Sequence, residues 1–333
     1  SRLVDRETGQ SVWGSGIDVV WPRDGGYEIA LPIGWQGQEP PRVVSTGIVE
    51  GLSLLGYRKD GYRPIAALFE QNGYRAGDLA SPGPRDNFFF FDYDFRQGTV
   101  RTAAELGRRL EELQRSRGGG SLRVNLLCQS NGAHICRFYA KHGTATLEEA
   151  EAGEVRRPDD LRVGRVVLVG TANGGGLRAL RELDRGRHYL PRFGLGRSWQ
   201  PETVFTFRSV FQELPGRSDE RFIDENGRPL DVDLWNSEEW RRYGWSVWSP
   251  EVERRLRRRG RSDLFGDAEA RWSYLERQLE RARRLRHVLQ QDSKGFTAEA
   301  YLLIQNTGLS TPERALLLRG DEGWQTLFVG DRQ

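Results

Sequence analysis

Val124-Asn125-Leu126-Leu127-Cys128-Gln129-Ser130-Asn131-Gly132-Ala133 is the stretch on which the reading of the chain turns. The apolar run from Val124 to Leu127 has the length of a strand, and Ala133, Cys136 and Ala140 continue at helical spacing after a short turn. A serine between such a strand and such a helix, with small residues two before and two after, fits the tight turn that lifts a nucleophilic hydroxyl above a sheet. Ser130 is therefore the candidate nucleophile. Gly132 is expected to be small because the strand and helix backbones close on each other there, so that a large side chain would strike the strand. A helix starting at Asn131 offers free backbone N–H groups at the same spot, which makes Asn131 the candidate oxyanion donor. The plainer reading of the same residues is a serine that caps a helix.

Outward from that stretch, helix and strand patterns alternate from Tyr62 onward. Ile65, Leu68 and Phe69 lie on one helical face before Asn72-Gly73, and Phe88 to Phe91 reads as a buried strand. Ala103, Leu106, Leu110 and Leu113 form the apolar stripe of a helix over 102–117 that stops at Gly118-Gly119-Gly120. Val166 to Val169 is a further strand, closed by Asn173-Gly174-Gly175-Gly176. Such β-α-β-α-β units imply an α/β fold with a mostly parallel sheet, right-handed crossovers and helices on both faces. From Pro201 to Gln291 the pattern is tryptophan-rich, charged and helical without a clear strand, so residues 201–291 read as an inserted helical cap. Residues 1–200 and 292–333 then supply the two parts of the core, the second with strands at Ala300–Ile304 and Thr326–Val329. Trp272, Leu275, Leu279, Ala282, Leu285 and Leu289 keep helical spacing on one long cap helix.

Composition narrows the function classes. A chain of 333 residues with 37% hydrophobic content builds one large or two medium domains. No run approaches 18 uncharged apolar residues, so no transmembrane helix is expected. The balance of 50 basic and 47 acidic side chains leaves a net charge of only +3, and nucleic acid is not an expected partner. Cys128 and Cys136, with four histidines in the chain, give neither a disulfide framework nor a zinc spacing, so no metal and no cofactor is expected. The run from Arg254 to Arg261 reads as a solvated helix face beside Glu251 and Glu253, with contact to a membrane surface as the alternative. Trp235, Trp240, Trp245 and Trp248 suit either the lining of an apolar pocket or a packed core. The glycines at 174–176 lack the Lys-Ser/Thr of a phosphate loop and read as a loop at a strand end.

Several short motifs, in this order, resemble the lecithin:cholesterol acyltransferase-like family of α/β-hydrolase lipases and acyltransferases. Gly73-Tyr74 and Tyr93-Asp94-Phe95-Arg96 are similar to its G-Y and Y-D-W-R segments, with Phe95 in place of tryptophan. Cys128-Gln129-Ser130-Asn131-Gly132 falls where its nucleophile turn falls, with Cys128 in place of the first glycine. Thr171-Ala172-Asn173-Gly174-Gly175 resembles T-P-x-x-G, and Thr307-Gly308-Leu309-Ser310-Thr311-Pro312 resembles G-T-G-L-P-T-P. The resemblance implies an α/β-hydrolase fold and a serine hydrolase or acyltransferase acting on a lipid-like ester through an acyl-enzyme on Ser130. Tyr93 to Arg96 would then be a strand end locked by an Asp–Arg pair. Ser1-Arg2-Leu3 resembles the end of the family's opening motif, and Gly330-Asp331 falls near its G-D-x-T-V, which makes Asp331 the candidate acid.

None of His134, His142, His188 and His287 follows Asp331, as the triad order of this fold requires. With methionine absent, this reads as a chain truncated at both ends, its first strand and catalytic histidine beyond the sequence. The reading of a different class is a catalytically inactive member that keeps the fold to bind a lipid or a partner. The sequence assigns no compartment.

Overall fold

The computed structural model describes residues 1–15, 23–37, 41–49, 51–54, 57–187, 199–216, 221–292, 298–306, 308, 313–321 and 323–329. β1 (Leu3–Asp5), β2 (Ser11–Trp13) and β3 (Val43–Ser45) form an antiparallel sheet in the order β2-β1-β3. β4 (Gly51–Leu54) and β5 (Tyr57–Asp60) pair with each other. α1 (Arg63–Gln71) carries Pro64 in its first turn, where a missing N–H has no helical partner to lose. β6 (Ala76–Gly77) and β7 (Phe88–Phe89) pair in parallel. The strand expected over Phe88 to Phe91 is thus only two residues long, and all four rings are half-buried. Stacking decides their placement: Phe88 lies flat on Phe69 at 4.5 Å and edge-on to Phe90 at 4.9 Å.

The part that positions Ser130 comes next: α2 (Thr99–Ser116), β8 (Leu122–Gln129), α3 (Gly132–His142), α4 (Leu147–Glu151), β9 (Leu161–Val169) and α5 (Leu177–Arg185). α6 (Pro201–Phe205), α7 (Arg208–Gln212), β10 (Phe222–Ile223), β11 (Pro229–Leu230), α8 (Ser237–Arg242), α9 (Pro250–Arg259), α10 (Ser262–Phe265) and the long α11 (Ala268–Gln290) follow. β12 (Ala300–Ile304), β13 (Ala315–Gly320) and β14 (Gly323–Phe328) complete the chain.

β12, β9 and β8 form an all-parallel sheet in that order, which brings residues 124–127 and 300–304 into one sheet although more than half the chain separates them. The β8–β9 register slips by one between Val124 and Leu126. The Arg165 N–H at that slip donates to Asn125 Oδ1 at 2.9 Å, so a side chain replaces the missing ladder bond.

Helices cover one face of this sheet. Ala103, Leu106 and Leu110 of α2 and Ile135 and Phe138 of α3 pack with Leu126 and Cys128, and Leu285, Val288 and Leu289 at the end of α11 close the same core. The opposite face differs from the expectation of helices on both sides. Among the described residues, Leu127 and Leu302 are 43% and 50% exposed. They flank Val167 in register and border a large cavity, because every second residue of a strand points away from the helical layer.

The region from 201 to 291 is mostly helical but not strand-free. β10 and β11 join β13 and β14 in the sheet β11-β10-β13-β14, so Thr326–Val329 contributes to that sheet and not to the one that carries Ser130. Strands of two residues bear no period to read, which is why this sheet escapes a pattern search. A second core spans these helices, the first sheet and α5, with the rings of Phe205, Phe211, Trp240, Trp245 and Tyr274 at its centre. Trp240 and Trp245 are at most 1% exposed, and Trp235 and Trp248 pack against the same core. None of the four borders the large cavity, so the tryptophans are packing residues and not a pocket lining. In α9 the arginine run is largely paired: Arg257 with Glu253, Arg255 with Glu251 and Glu202, and Arg261 beyond the helix with Asp263. Among the described residues no helix is long and apolar enough to cross a membrane.

Candidate functional site

Ser130 occupies the turn between β8 and α3 with φ of 51°, one of two described residues other than glycine in the left-handed region. A serine there is strained by about 1–3 kcal/mol, and the surrounding bonds hold it. Its N–H donates to Val169 O of the neighbouring strand at 3.1 Å, and its carbonyl accepts from Ala133 N–H at 2.9 Å. Its side chain is exposed and borders a cavity of about 1480 Å³.

The helix begins one residue later than expected, at Gly132, with Asn131 as its N-cap. Asn131 borders the cavity beside Ser130, and its side chain lies next to the Tyr93 hydroxyl. Burial above all holds that phenol well above its ordinary range, so it stays protonated and can donate. At Gly132 the first carbon of a side chain has room. A Cβ built there would meet Tyr93 Oη at 3.9 Å and Cys128 Cβ at 4.0 Å, both ordinary contacts. Alanine fits at 132, and the turn rests on Ser130 itself.

Cys128 and Cys136, expected to be unpaired, form a disulfide with Cα atoms 6.5 Å apart. Eight residues separate them in sequence, and the turn at Ser130 folds the second turn of α3 back over the end of β8. Closing so short a loop constrains the unfolded chain by about 2–3 kcal/mol. Reduction, or Cys136→Ser, is therefore expected to lower stability by about that amount in urea titrations. An unchanged midpoint under reducing conditions would show that the bridge constrains nothing.

The Tyr93-Asp94-Phe95-Arg96 segment carries the expected Asp–Arg lock, but in the loop and turn that follow β7 and not at a strand end. Arg96, 1% exposed, donates to both carboxylate oxygens of Asp94 at 2.8 Å, and also to Ile29 O and Val43 O. That bidentate pair fixes Phe95, whose ring stacks on Trp199 at 5.5 Å, with Phe207 edge-on. Phe95, Trp199 and Phe207 form an aromatic wall of the cavity.

Glu213, just after α7, also borders the cavity, and no sequence motif points to it. Burial, with a smaller push from Glu182, raises its carboxyl from 4.5 to about 7. The folded state therefore holds this proton more tightly than the unfolded chain does. Its contribution to stability is greatest below pH 4.5 and is lost as pH rises through about 7. Glu213 is half-buried and faces the cavity, where water screens part of that penalty. Glu213→Gln is expected to stabilise the protein by about 1–2 kcal/mol at pH 8 and by far less at pH 5. Equal effects at both pH values in thermal melts would show that Glu213 titrates normally.

Of the other candidates, Asp331 and His188 lie outside the described residues, as does most of the 307–312 motif. His142 Nδ1 lies 3.1 Å from Glu154 O, His134 is buried on α3, and His287 is exposed on α11. None of these three borders the cavity. No described group of His, Cys, Asp or Glu side chains has the makings of a metal site.

No protein-family model and no curated protein matches the sequence. A chain in the crystal structure of the Tle4–Tli4 complex is similar in fold, with a TM-score of 0.56 at 15% identity over 96% of this chain and 75% of that one. At that identity the likeness concerns fold alone, a mixed α/β architecture with a parallel sheet.

Proposed function

We propose that the protein is a serine hydrolase or acyltransferase of the α/β-hydrolase type that acts on a lipid-like ester through an acyl-enzyme on Ser130. The observation that carries this reading is a serine in left-handed backbone conformation, at a strand-to-helix turn, exposed to a large cavity with an aromatic wall. Ser130 Oγ would attack the ester carbonyl as a base takes its proton, and the C–O bond to the alcohol would break as that base passes the same proton to the leaving oxygen. Water or a second alcohol would then release the acyl group. The Asn131 N–H would face the oxyanion, with Tyr93 as a neighbouring donor. Asp331 keeps its proposed role as the acid that orients the base, and the helical region 201–291 that of a cap over the cavity.

A second reading, a lipid-binding protein without catalysis, is favoured by the absence of His134, His142 and His287 from the cavity wall. A fluorophosphonate probe separates the two, since it reacts only with an activated serine. In protein that carries its histidine base, the expected result is one labelled peptide containing Ser130, lost in Ser130→Ala. Tight binding of a lipid ester by protein that takes no label would favour the second reading.

A further inference from the structure

The bridge between Cys128 and Cys136 encloses the nucleophile turn, since Ser130, Asn131 and Gly132 all lie inside the loop that it closes. Its two ends are anchored separately. Cys128 stands in β8 opposite Leu168 of β9, while Cys136 belongs to α3, whose Arg137 and Lys141 donate to Leu289 O at the end of α11 at 2.9 and 3.2 Å. Both cysteines pack in the core behind the sheet, and both also border the cavity.

The loop between these anchors is thinly held. Ser130 is kept in left-handed conformation by one backbone hydrogen bond from its N–H and one to its carbonyl. Asn131 caps α3 without a side-chain hydrogen bond, and its Oδ1 is buried with no partner among the described residues. A Cβ at Gly132 would meet nothing closer than 3.9 Å, so no packing presses on the turn from that side. A strained residue persists only where its surroundings over-determine it, and here the covalent bridge supplies the constraint that packing and capping leave out.

We propose that the Cys128–Cys136 bridge is a redox-sensitive clamp that holds Ser130 in its reactive geometry, which makes both cysteines positioning residues. The consequence for catalysis rests on the hydrolase reading above, whereas the clamp itself concerns the backbone of the turn. A dithiol entering the cavity opens the clamp by exchange. One of its thiolates attacks Cys136 Sγ, the more exposed of the pair, the protein S–S bond breaks, and its electron pair leaves on Cys128. Cys128 stands beside the first residue of α3, where the partial positive charge of the helix start favours a thiolate. The second thiol of the reductant then displaces Cys136 from the mixed disulfide. The reductant ends as a cyclic disulfide, and the protein gains two electrons and two protons as two thiols. Without the bridge the turn relaxes, and Ser130 Oγ and the Asn131 N–H swing away from a substrate that still binds along the same wall. A displacement of about 1 Å at a reacting group costs about 100-fold in rate.

The first arm of the test is hydrogen exchange by NMR on the oxidised and the dithiothreitol-reduced chain. The amides of Ser130, Ala133 and His134, which close the turn, are expected to accelerate at least about tenfold more than those of β13 in the other sheet. A bridge that only adds global stability would accelerate both sets alike. In the second arm, on protein that carries its histidine base, reduction is expected to lower kcat for a chromogenic short-chain ester by about 10- to 100-fold, with KM within about twofold, and reoxidation to restore it. Cys136→Ser should show the lowered kcat without dithiothreitol and no response to it; if that variant misfolds, the reduced and reoxidised parent gives the same comparison. Equal acceleration at the turn and at β13, a kcat unchanged in fully reduced protein, or a bridge that dithiothreitol opens only in urea overturns the proposal. An oxidised protein without esterase activity whose turn still loosens on reduction would sink the hydrolase reading and leave the clamp standing.

Discussion

Ser130→Ala is expected to lower ester hydrolysis by about four to six orders of magnitude while leaving the unfolding midpoint nearly unchanged. The hydroxyl forms no hydrogen bond among the described residues, so its removal leaves no buried partner stranded. Alanine also inherits the same left-handed strain, having a Cβ in the same place. Ser130→Gly separates the two roles further. Glycine adopts φ of 51° without penalty, so this variant should be about 1 kcal/mol more stable than the parent and equally inactive. Hydrolysis of a chromogenic short-chain ester and urea titration of the three proteins give both quantities. An active Ser130→Ala protein would move the nucleophile elsewhere. An active but destabilised glycine variant would mean that the turn serves packing.

The largest loss of stability is expected at Arg255→Ala. Glu202 is completely buried, and Arg255 grips both its oxygens, at 2.6 and 2.8 Å, while the Tyr27 hydroxyl donates to the same carboxylate. Removing the guanidinium leaves a carboxylate in the interior with only a neutral phenol against it, at an expected cost of about 3–5 kcal/mol. The pair is not irreplaceable, because burying two charges also costs desolvation. Arg255→Met with Glu202→Leu should recover most of the loss and could exceed the parent. Unfolding midpoints of the single and double variants decide the matter. A single variant within about 1 kcal/mol of the parent would mean that water reaches Glu202 once Arg255 is gone.

Much of the parallel sheet was legible because its elements have room to show a period. α2, with Ala103, Leu106, Leu110 and Leu113 at helical spacing, lies within three residues of its expected bounds, and β8, β9 and β12 fall where apolar runs predict them. The left-handed turn was legible from the serine between strand and helix. What escaped the sequence depends on long-range encounters. Glu213 becomes part of the cavity only when the segment after α7 folds over the loop at 174–176, where Gly176 N–H donates to Glu213 O at 2.9 Å. The disulfide was missed because two lone cysteines with seven residues between them signal no framework, and only the reversal at Ser130 brings the sulfurs together. Four tryptophans in a short stretch signal a large apolar demand, but whether a core or a ligand meets it is decided by residues such as Phe205 and Thr326. Trp245 Nε1–H donates to Thr326 Oγ1 at 2.8 Å, from the far end of the chain.

The helix α11 runs 23 residues, about 34 Å at the usual rise. Tyr274, Leu275, Leu279 and Ala282 belong to the core under the helical region, and Leu285, Val288 and Leu289 to the core under the sheet. Between those two sets Arg284 is tied to Glu148 and Glu151 of α4. The helix is thus a shared axle: neither core can loosen its hold without tilting a rod on which the other is mounted. The core behind β8, the strand that leads into Ser130, and the core under the helical region are therefore held in register by one continuous stack of peptide bonds.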